Sequence, residues 1–320
     1  MTFAIKKYYT KTSSKTRLFL AGQQKEIAIV GAPLQKCGVT DLAGTFIKQH
    51  IMAALSEDVG QGDATTEALI PNDSSGSAKI IAHETLTIAG IAIAEAVFKE
   101  LDNESSIDAH SEDGQEVKSG ECILTVNAQL RSLLTGERTA LNYLQRLSGI
   151  ATQSARYAEA VSGTGVLILD TRKTTPGWRA LEKYAVQCGG SRNHRRGLDD
   201  MILIKDNHLA ALTGKCRIAE AVHRARLASS DLKIEVEVET LEQAEQATEA
   251  GADIVLLDNM TIEELSKAVK LINGRTQIEA SGGITLKNIR EVAKTGVNYI
   301  SVGAITHSAK TVDISMEIVS

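Results

Sequence analysis

The second half of the chain alternates short apolar runs with amphipathic segments, and no other feature restricts the possible folds so strongly. The segments LEQAEQATEAG, IEELSKAVKLING and LKNIREVAKTG have helical spacing of apolar residues, and each closes on a glycine, as helix C-termini prefer. Strands that alternate with helices at intervals of about twenty residues indicate βαβ units and a parallel sheet. The apolar runs begin near Val166, Met201, Ile234, Ile254, Ile278 and Ile300. A series of this length predicts an α/β barrel.

The residues before this series predict a smaller α+β domain. Helices are predicted over 45–55, 92–101, 131–149 and 152–161, and strands over 27–30, 77–82, 86–89, 106–109 and 122–126, with a turn-rich stretch at 57–71. The predicted fold class is therefore α/β, with an N-terminal α+β sandwich domain and a C-terminal α/β barrel. The predicted boundaries are 1–45 for an N-terminal extension, 46–149 for the α+β domain, 150–305 for the barrel and 306–320 for a segment returning to the first domain.

Composition excludes several classes of protein. Lys and Arg total 35 against 40 for Asp and Glu, and aromatic residues are only 3%, so we expect no nucleic-acid partner. No apolar run approaches the ~20 residues of a membrane span, so no membrane association is expected. The four cysteines are widely spaced and favour a reducing compartment. The first twenty residues carry five basic and no acidic residues. We interpret them as an extension rather than a transit peptide and predict a cytoplasmic protein.

Every predicted strand of the barrel is followed or interrupted by polar residues. Between Asp170 and His208 there are eight basic and five acidic residues, a local charge of +3 within a chain of −5. Arg172, Lys173 and Lys205 directly follow buried strands, where a charge is costly unless it is used. Since ligands of barrel enzymes bind at the carboxyl ends of the strands, this cluster predicts a small, highly anionic ligand.

Carboxylates and glycines at other strand ends extend the prediction. Glu237 and Asp258 lie near the ends of two strands, and two carboxylates beside an anion site suit Mg²⁺ shared with phosphate oxygens. Glu235 and Glu239 share a strand face with Glu237, so periodicity leaves open which acids contribute and which pair with a neighbouring Lys or Arg. The turn 281–283, before a helix predicted to start near Thr285, and the turn 303–304 allow backbone N–H groups to contact a phosphate.

Several long motifs name a family. DTRKTTPGWRALEKYAVQCGG, NHRRGLDDMILIKDNH, IEVEVETLEQAEQA, DIVLLDNM and IEASGGIT occur in this order and resemble the quinolinate phosphoribosyltransferases, a family of type II phosphoribosyltransferases. EDVGQGDATT and ERTALNYLQRLSGIAT match the N-terminal domain of that family, and the resemblance runs from about residue 46 to the end. It implies joining of quinolinate to phosphoribosyl pyrophosphate, with release of pyrophosphate and CO₂ and formation of nicotinate mononucleotide for NAD biosynthesis.

The resemblance also implies roles for individual residues. It assigns Lys173, Glu237 and Asp258 to catalysis and the last two also to Mg²⁺, and it makes the enzyme a homodimer or a hexamer. Arg138 would complete the site of the partner subunit. The substrate-binding residues that it implies are Arg138, Thr171, Arg172, Lys173, His194, Arg195, Lys205, Glu237, Asp258, Ser281, Gly282, Gly283, Gly303 and Ala304. Loss of the 2-carboxylate from a cationic ring needs little acid–base help, so His194 is interpreted as a binder, whereas His208 is left between a structural and a ligand-contacting role.

Three alternatives compete with this interpretation. Type II nicotinate phosphoribosyltransferases share the barrel without the loss of CO₂, and a molybdenum-transport-associated homologue carries many of the same motifs. The set Arg138, Arg172, His194, Arg195 and Lys205 favours a dicarboxylate over a monocarboxylate. A non-catalytic quinolinate-binding regulator is the third alternative, and the intact Glu237, Asp258 and S-G-G turn argue against it.

Overall fold

The computed structural model describes residues 44–214 and 216–319. The predicted strand at 27–30 and residues 1–43 of the predicted extension lie outside these residues. The N-terminal part contains α1 (Gly44–Val59), α2 (Ala64–Leu69), β1 (Ser75–Ala82), β2 (Leu86–Thr87), α3 (Ile91–Leu101), β3 (Ser106–Ala109), β4 (Glu116–Val117), β5 (Cys122–Gln129) and α4 (Leu130–Ala160). The C-terminal part contains β6 (Leu167–Leu169), α5 (Arg179–Cys188), β7 (Ile202–Ile204), α6 (Asp206–Ala210), α7 (Arg217–Ala228), β8 (Ile234–Val238), α8 (Leu241–Glu249), β9 (Ile254–Asp258), α9 (Ile262–Ile272), β10 (Gln277–Ser281), α10 (Ile289–Ala293), β11 (Tyr299–Ser301), α11 (Ala304–His307) and β12 (Ile314–Val319).

An antiparallel sheet of four strands forms the N-terminal part, in the order β12-β1-β5-β3. Of the described strands, the last, β12, pairs with the first, β1, from Ser77 opposite Val319 to Ala82 opposite Ile314. Along β5, the buried Val126 and Ala128 alternate with exposed neighbours, so one face of the sheet is apolar. The helices α3 and α4 pack together over this domain, and β2 pairs separately with β4.

The C-terminal part is a parallel sheet in the order β6-β11-β10-β9-β8-β7. The first strand thus lies beside the last, as in a barrel, and a bridge between Leu169 and Arg192 continues the sheet past β6. The strands are short and buried on both faces, which explains their near-continuous apolar character. The predicted fold class, an α+β domain followed by an α/β barrel, is confirmed.

Three local predictions were wrong. Residues 131–149 and 152–161 form one helix of 31 residues, α4, because Gly149 does not end it. A Cβ at Gly149 would lie 2.1 Å from the carbonyl oxygen of Lys310, so this glycine permits a close approach inside the helix. The turn-rich stretch contains α2, which Asp63 caps by accepting a hydrogen bond from Thr66 N at 3.0 Å.

The third wrong prediction is the helix start near Thr285, because α10 begins at Ile289. The Asn288 side chain accepts from Thr285 N at 2.8 Å and keeps the preceding residues in a turn.

No helix within the described part of the chain is long and apolar enough to cross a membrane. The helix α4 is long, but it runs between the two domains and packs against both α3 and α5. Its Leu144, Leu147 and Ile150 are fully buried in a core that includes residues of both domains.

Candidate active site

A cavity of about 690 Å³ opens at the carboxyl ends of the barrel strands. All of the predicted site residues except Arg138 line it, namely Thr171, Arg172, Lys173, His194, Arg195, Lys205, Glu237, Asp258, Ser281, Gly282, Gly283, Gly303 and Ala304. The structure therefore brings together residues from six strands, as expected for parallel strands that end at one edge.

Arg138 lies elsewhere, on α4. Its side chain is 59% exposed, and its guanidinium lies 3.6 Å from the Glu137 carboxylate. It does not line the cavity of its own chain.

The segment that follows β6 forms the cationic wall of the cavity. Arg172 has a buried Nε that makes no hydrogen bond with the described residues, so this donor is available for a ligand. Arg195 donates from one guanidinium nitrogen to the Met201 carbonyl at 3.3 Å. Burial lowers the pKa of Arg195 first, and the nearby Arg172 adds to this effect. Two neighbouring guanidinium groups that line one cavity favour binding of an anion.

A buried ion pair supports this wall from behind. Lys183 Nζ donates to Asp170 Oδ1 at 2.5 Å and to the His194 carbonyl at 3.0 Å, and His194 N donates to the same Asp170 oxygen at 2.8 Å. Burial raises the pKa of Asp170 and lowers that of Lys183, and the contact between the two groups opposes both shifts. Lys183 therefore supports the structure behind the wall and does not face a ligand, although the sequence analysis included it among the eight basic residues between Asp170 and His208.

Arg146 on α4 fixes the segments at the cavity mouth from the side. Its guanidinium donates to Glu182 Oε1 and to the Thr306 carbonyl, each at 2.8 Å, and to the Ala309 carbonyl at 2.9 Å. Glu182 also accepts from the Thr175 hydroxyl at 2.8 Å. The turn after β6 and the segment after β11 are therefore held by one arginine.

The acidic side of the cavity carries Glu237 and Asp258. Glu237 Oε2 accepts a hydrogen bond from Lys205 Nζ, which leaves Oε1 available. Asp258 Oδ2 accepts from Asn259 Nδ2 at 2.8 Å. Both carboxylates lie at strand ends beside the cationic groups, so the donor set suits Mg²⁺ shared with ligand oxygens. Glu239 is exposed and does not line the cavity.

The turn formed by residues 281–283 lines another part of the cavity. Gly282 has φ +90°, and a Cβ there would lie 2.2 Å from Asn259 Oδ1, so only glycine fits. Asn259 N donates to the Ser281 carbonyl at 2.9 Å, which ties this turn to the end of β9. A Cβ at Gly303 would lie 3.1 Å from both the Lys173 side chain and the His307 ring. Backbone and basic side chains therefore converge here, as in a phosphate site.

Beneath the cationic wall lies a buried pair of carboxyls. Glu235 on β8 and Glu279 on β10 are both fully buried, and their Oε2 atoms lie 3.0 Å and 3.5 Å from His194 Nε2. Burial raises the pKa of both carboxyls. The three ligand atoms are within 4.8 Å of one another, a spacing that would also accept a metal ion.

Sequence reasoning missed Glu279 and several other lining residues. The signal for Glu279 was an acid inside the apolar run QIEAS, two positions before Ser281 and therefore on the same face of the strand. His208 does not line the cavity, and its Nδ1 accepts from Lys205 N at 2.9 Å, which is a structural role. The other lining residues that were not predicted are Leu203, Leu256, Asn259, Ile284, Thr285, Ser301, Val302 and His307.

The fold and the cavity define an α/β-barrel enzyme for a small, highly anionic ligand. Comparison with known protein families identifies a family within this class. The model of the quinolinate phosphoribosyl transferase C-terminal domain matches residues 150–317, and that of the N-terminal domain matches residues 63–148. The chain therefore belongs to the quinolinate phosphoribosyltransferase family.

Individual relatives agree with this assignment. A probable nicotinate-nucleotide pyrophosphorylase [carboxylating] of Bacillus subtilis is 44% identical over 82% of this chain and 90% of its own length. The corresponding enzyme of Mycobacterium leprae is 42% identical over 85% of this chain and 96% of its length. The crystal structure of NadC from Streptococcus pyogenes superimposes with a TM-score of 0.84 at 41% identity, covering 87% of this chain and 98% of that one.

Proposed function

We propose that this chain catalyses the decarboxylating transfer of a phosphoribosyl group to quinolinate. Quinolinate and phosphoribosyl pyrophosphate would give nicotinate mononucleotide, CO₂ and pyrophosphate, a step of de novo NAD biosynthesis. The observation that carries the proposal is one cavity that has a cationic wall on one side and Glu237, Asp258 and a glycine turn on the other. Membership of the family supports the same reaction.

The cationic wall suits quinolinate, a pyridine dicarboxylate. The free, buried Nε of Arg172 and the neighbouring guanidinium of Arg195 can each pair with a carboxylate oxygen. Lys205 adds a third positive charge at the end of β7, the next strand along the chain. Each charge-assisted hydrogen bond is worth about 1.5–3 kcal/mol net, so two carboxylates are needed to use this wall fully. A monocarboxylate such as nicotinate would leave part of it unpaired.

The opposite side suits phosphoribosyl pyrophosphate. The 281–283 and 303–304 turns would bind the 5′-phosphate through backbone N–H groups, and Lys173, packed against Gly303, would approach the pyrophosphate. Glu237 and Asp258 would hold the ribose hydroxyls and Mg²⁺, which neutralises charge on the leaving pyrophosphate when it is bound. Because Lys205 contacts Glu237, the two substrate regions share one hydrogen bond.

The reaction then needs mainly positioning. The ring nitrogen attacks the anomeric carbon, and the bond to pyrophosphate breaks with its electron pair on the leaving group. Glu237 and Asp258 place negative charge near the electron-deficient ribose carbon. The ribosylated ring is cationic, so it accepts the electron pair left when the 2-carboxylate departs as CO₂, and a proton from water completes the product.

Arg138 supports a proposal about assembly. It lies exposed on α4, outside the cavity of its own chain, so we infer that Arg138 of the partner subunit completes the site in a homodimer or hexamer. Mixing inactive Arg138→Ala and Arg172→Ala subunits would then restore activity, because a mixed dimer contains one intact site. Mixing that restores no activity, although subunits exchange, would contradict the shared site.

A substrate comparison tests the function. Purified protein with phosphoribosyl pyrophosphate and Mg²⁺ is offered quinolinate or nicotinate, and nicotinate mononucleotide is identified by mass. We expect product from quinolinate alone, with losses in Arg172→Ala and Glu237→Ala. Product only from nicotinate would move the chain to the related transferases. Quinolinate binding without turnover would support a regulator, and no binding at all would leave the molybdenum-transport-associated homologue.

Two further expectations belong to this proposal. Chelation of Mg²⁺ should abolish turnover, and calorimetry should detect weaker binding of Mg²⁺ with phosphoribosyl pyrophosphate by Asp258→Asn. We also propose that the enzyme acts in the cytoplasm, on the basis of its widely spaced cysteines without a C-x-x-C pair. Fractionation of cells that express the full chain tests the location, and recovery in an organelle would contradict it.

A further inference from the structure

Both ring nitrogens of His194 are engaged inside the protein. Nδ1 accepts a hydrogen bond from Arg195 N at 2.7 Å, so it carries no proton. Nε2 must then carry the proton, and it faces Glu235 Oε2 at 3.0 Å and Glu279 Oε2 at 3.5 Å. His194 lines the cavity but has no nitrogen left for a ligand.

Glu235 and Glu279 lie against this ring and each other, and the side chains of Ser301 and Arg195 lie near Glu279 and Glu235 respectively. None of their four carboxyl oxygens makes a hydrogen bond of normal geometry with the rest of the described chain. Among the residues that the structure describes, neither has a Lys or Arg ion pair, in contrast to the buried Asp170, which has Lys183. Burial of two carboxyls without such partners is costly for folding, and apolar residues of similar volume would usually cost less. A pair that costs stability at the floor of a ligand cavity suggests a use in the site.

We propose that Glu235 and Glu279 act together as positioning residues, which hold the His194 ring with its Nε2–H turned into the barrel and thereby place Arg195. The backbone N–H of Arg195 is bonded to the fixed ring, and its guanidinium is anchored at the Met201 carbonyl. The carboxyl pair lies against the ring, and the ring is hydrogen-bonded to Arg195, so these groups form one connected series that ends at the cationic wall. His194 meets the substrate through its ring carbons, and Arg195 makes the ionic contact.

The proposal rests on the proposed function only for the identity of the substrate. Its first test needs no substrate, because long-range ¹⁵N–¹H NMR of histidine-labelled protein distinguishes the two neutral tautomers. The His194 signal is assigned by its loss in His194→Asn. We expect the Nε2–H form in the wild-type protein. A proton on Nδ1, or a tightly bound metal ion in place of the Nε2 proton, would overturn the proposal.

The second test replaces the pair by apolar residues. In Glu235→Leu/Glu279→Leu, we expect the melting temperature to stay or rise, since the buried carboxyls are gone. We expect the His194 tautomer to become mixed and the KM for quinolinate to rise about tenfold, the effect of one hydrogen bond, with the KM for phosphoribosyl pyrophosphate little changed. A lower melting temperature with an unchanged KM for quinolinate would mean a purely structural pair.

Two further variants complete the experiment. Glu235→Gln/Glu279→Gln keeps side-chain oxygens that accept from Nε2–H and should recover most of the lost affinity. Glu239→Leu, which changes the exposed acid just after the same strand, is the matched control and should leave the tautomer and both KM values as they were. If wild-type protein has the Nε2–H form but neither binds nor converts quinolinate, the proposed function fails and the positioning of His194 stands.

Discussion

Arg172 shows how a single side chain can be prepared for a ligand. Its Nε is buried beside the cavity and makes no hydrogen bond with the described residues, which leaves a desolvated donor. Such a donor costs stability until an acceptor pairs with it. A planar carboxylate at this position would satisfy it, and only a guanidinium offers two parallel N–H groups for that purpose.

The variant Arg172→Lys therefore keeps the positive charge but loses the two parallel N–H donors of the guanidinium. We expect the KM for quinolinate to rise about ten- to a hundredfold, because one bidentate contact becomes a single one. The KM for phosphoribosyl pyrophosphate should change little. Steady-state kinetics measures both, with Arg224→Lys on the exposed face of α7 as the control. Equal rises in the two KM values would argue against a specific carboxylate contact.

Gly282 and Gly283 allow a matched comparison within one turn. Both have positive φ, so alanine at either costs about 1–2 kcal/mol of backbone strain. Only at Gly282 would the new Cβ also meet Asn259, at 2.2 Å from Oδ1 and 2.8 Å from N. We expect Gly282→Ala to lose more unfolding free energy than Gly283→Ala in urea titration. Equal losses would mean that Asn259 moves away freely.

Glu279 predicts a pH dependence of stability. Burial raises its pKa to about 8 from 4.5, so the folded protein favours the protonated carboxyl. The contribution of this carboxyl to the free energy of unfolding is complete below about pH 4.5 and is lost as the pH rises through about 8. Glutamine at this position does not titrate. The difference in unfolding free energy between Glu279→Gln and the wild type should therefore shift in favour of the variant from about pH 5 to about pH 9. Parallel pH profiles of the two proteins would contradict this, and Glu239→Gln is the control.

At the scale of elements, α4 connects the two domains and carries Arg146 to the cavity mouth. The sequence predicted most helices and strands, because their apolar spacing is local. It divided α4 at Gly149, since the reason for this glycine is the distant Lys310 carbonyl. It likewise placed the start of α10 four residues too early, because the Asn288 side chain keeps residues from Thr285 onward in a turn.

The variant Gly149→Ala tests the close approach of α4 to Lys310. Within a helix this change alone would gain about 1 kcal/mol, because alanine is the better helix former. The contact at 2.1 Å should reverse the sign and cost about 1–3 kcal/mol. Thermal unfolding against Arg156→Ala, an exposed position on the same helix, measures the difference. A rise in stability would show that the Lys310 segment is free to move.

At the scale of the whole molecule, the barrel explains why residues at the strand ends could be used to predict the cavity. Parallel strands bring their carboxyl ends together, so Arg172, Lys205, Glu237 and Asp258 could be grouped from sequence alone. Glu279 was missed because one acid in an apolar run gives no sign that it faces His194, which lies in the irregular segment after Arg192. The proposed contact of Arg138 with a partner subunit was beyond periodicity, since an exposed helix position carries no information about a surface that would cover it.

The most direct measurement is the stoichiometry of CO₂ and pyrophosphate from quinolinate labelled in its 2-carboxyl group. A dicarboxylate site that joins both substrates predicts equal amounts of the two products, formed only when phosphoribosyl pyrophosphate is present. Both products should fall together in Arg172→Lys. Pyrophosphate without labelled CO₂, or nucleotide formed from nicotinate while quinolinate is left intact, would contradict the account.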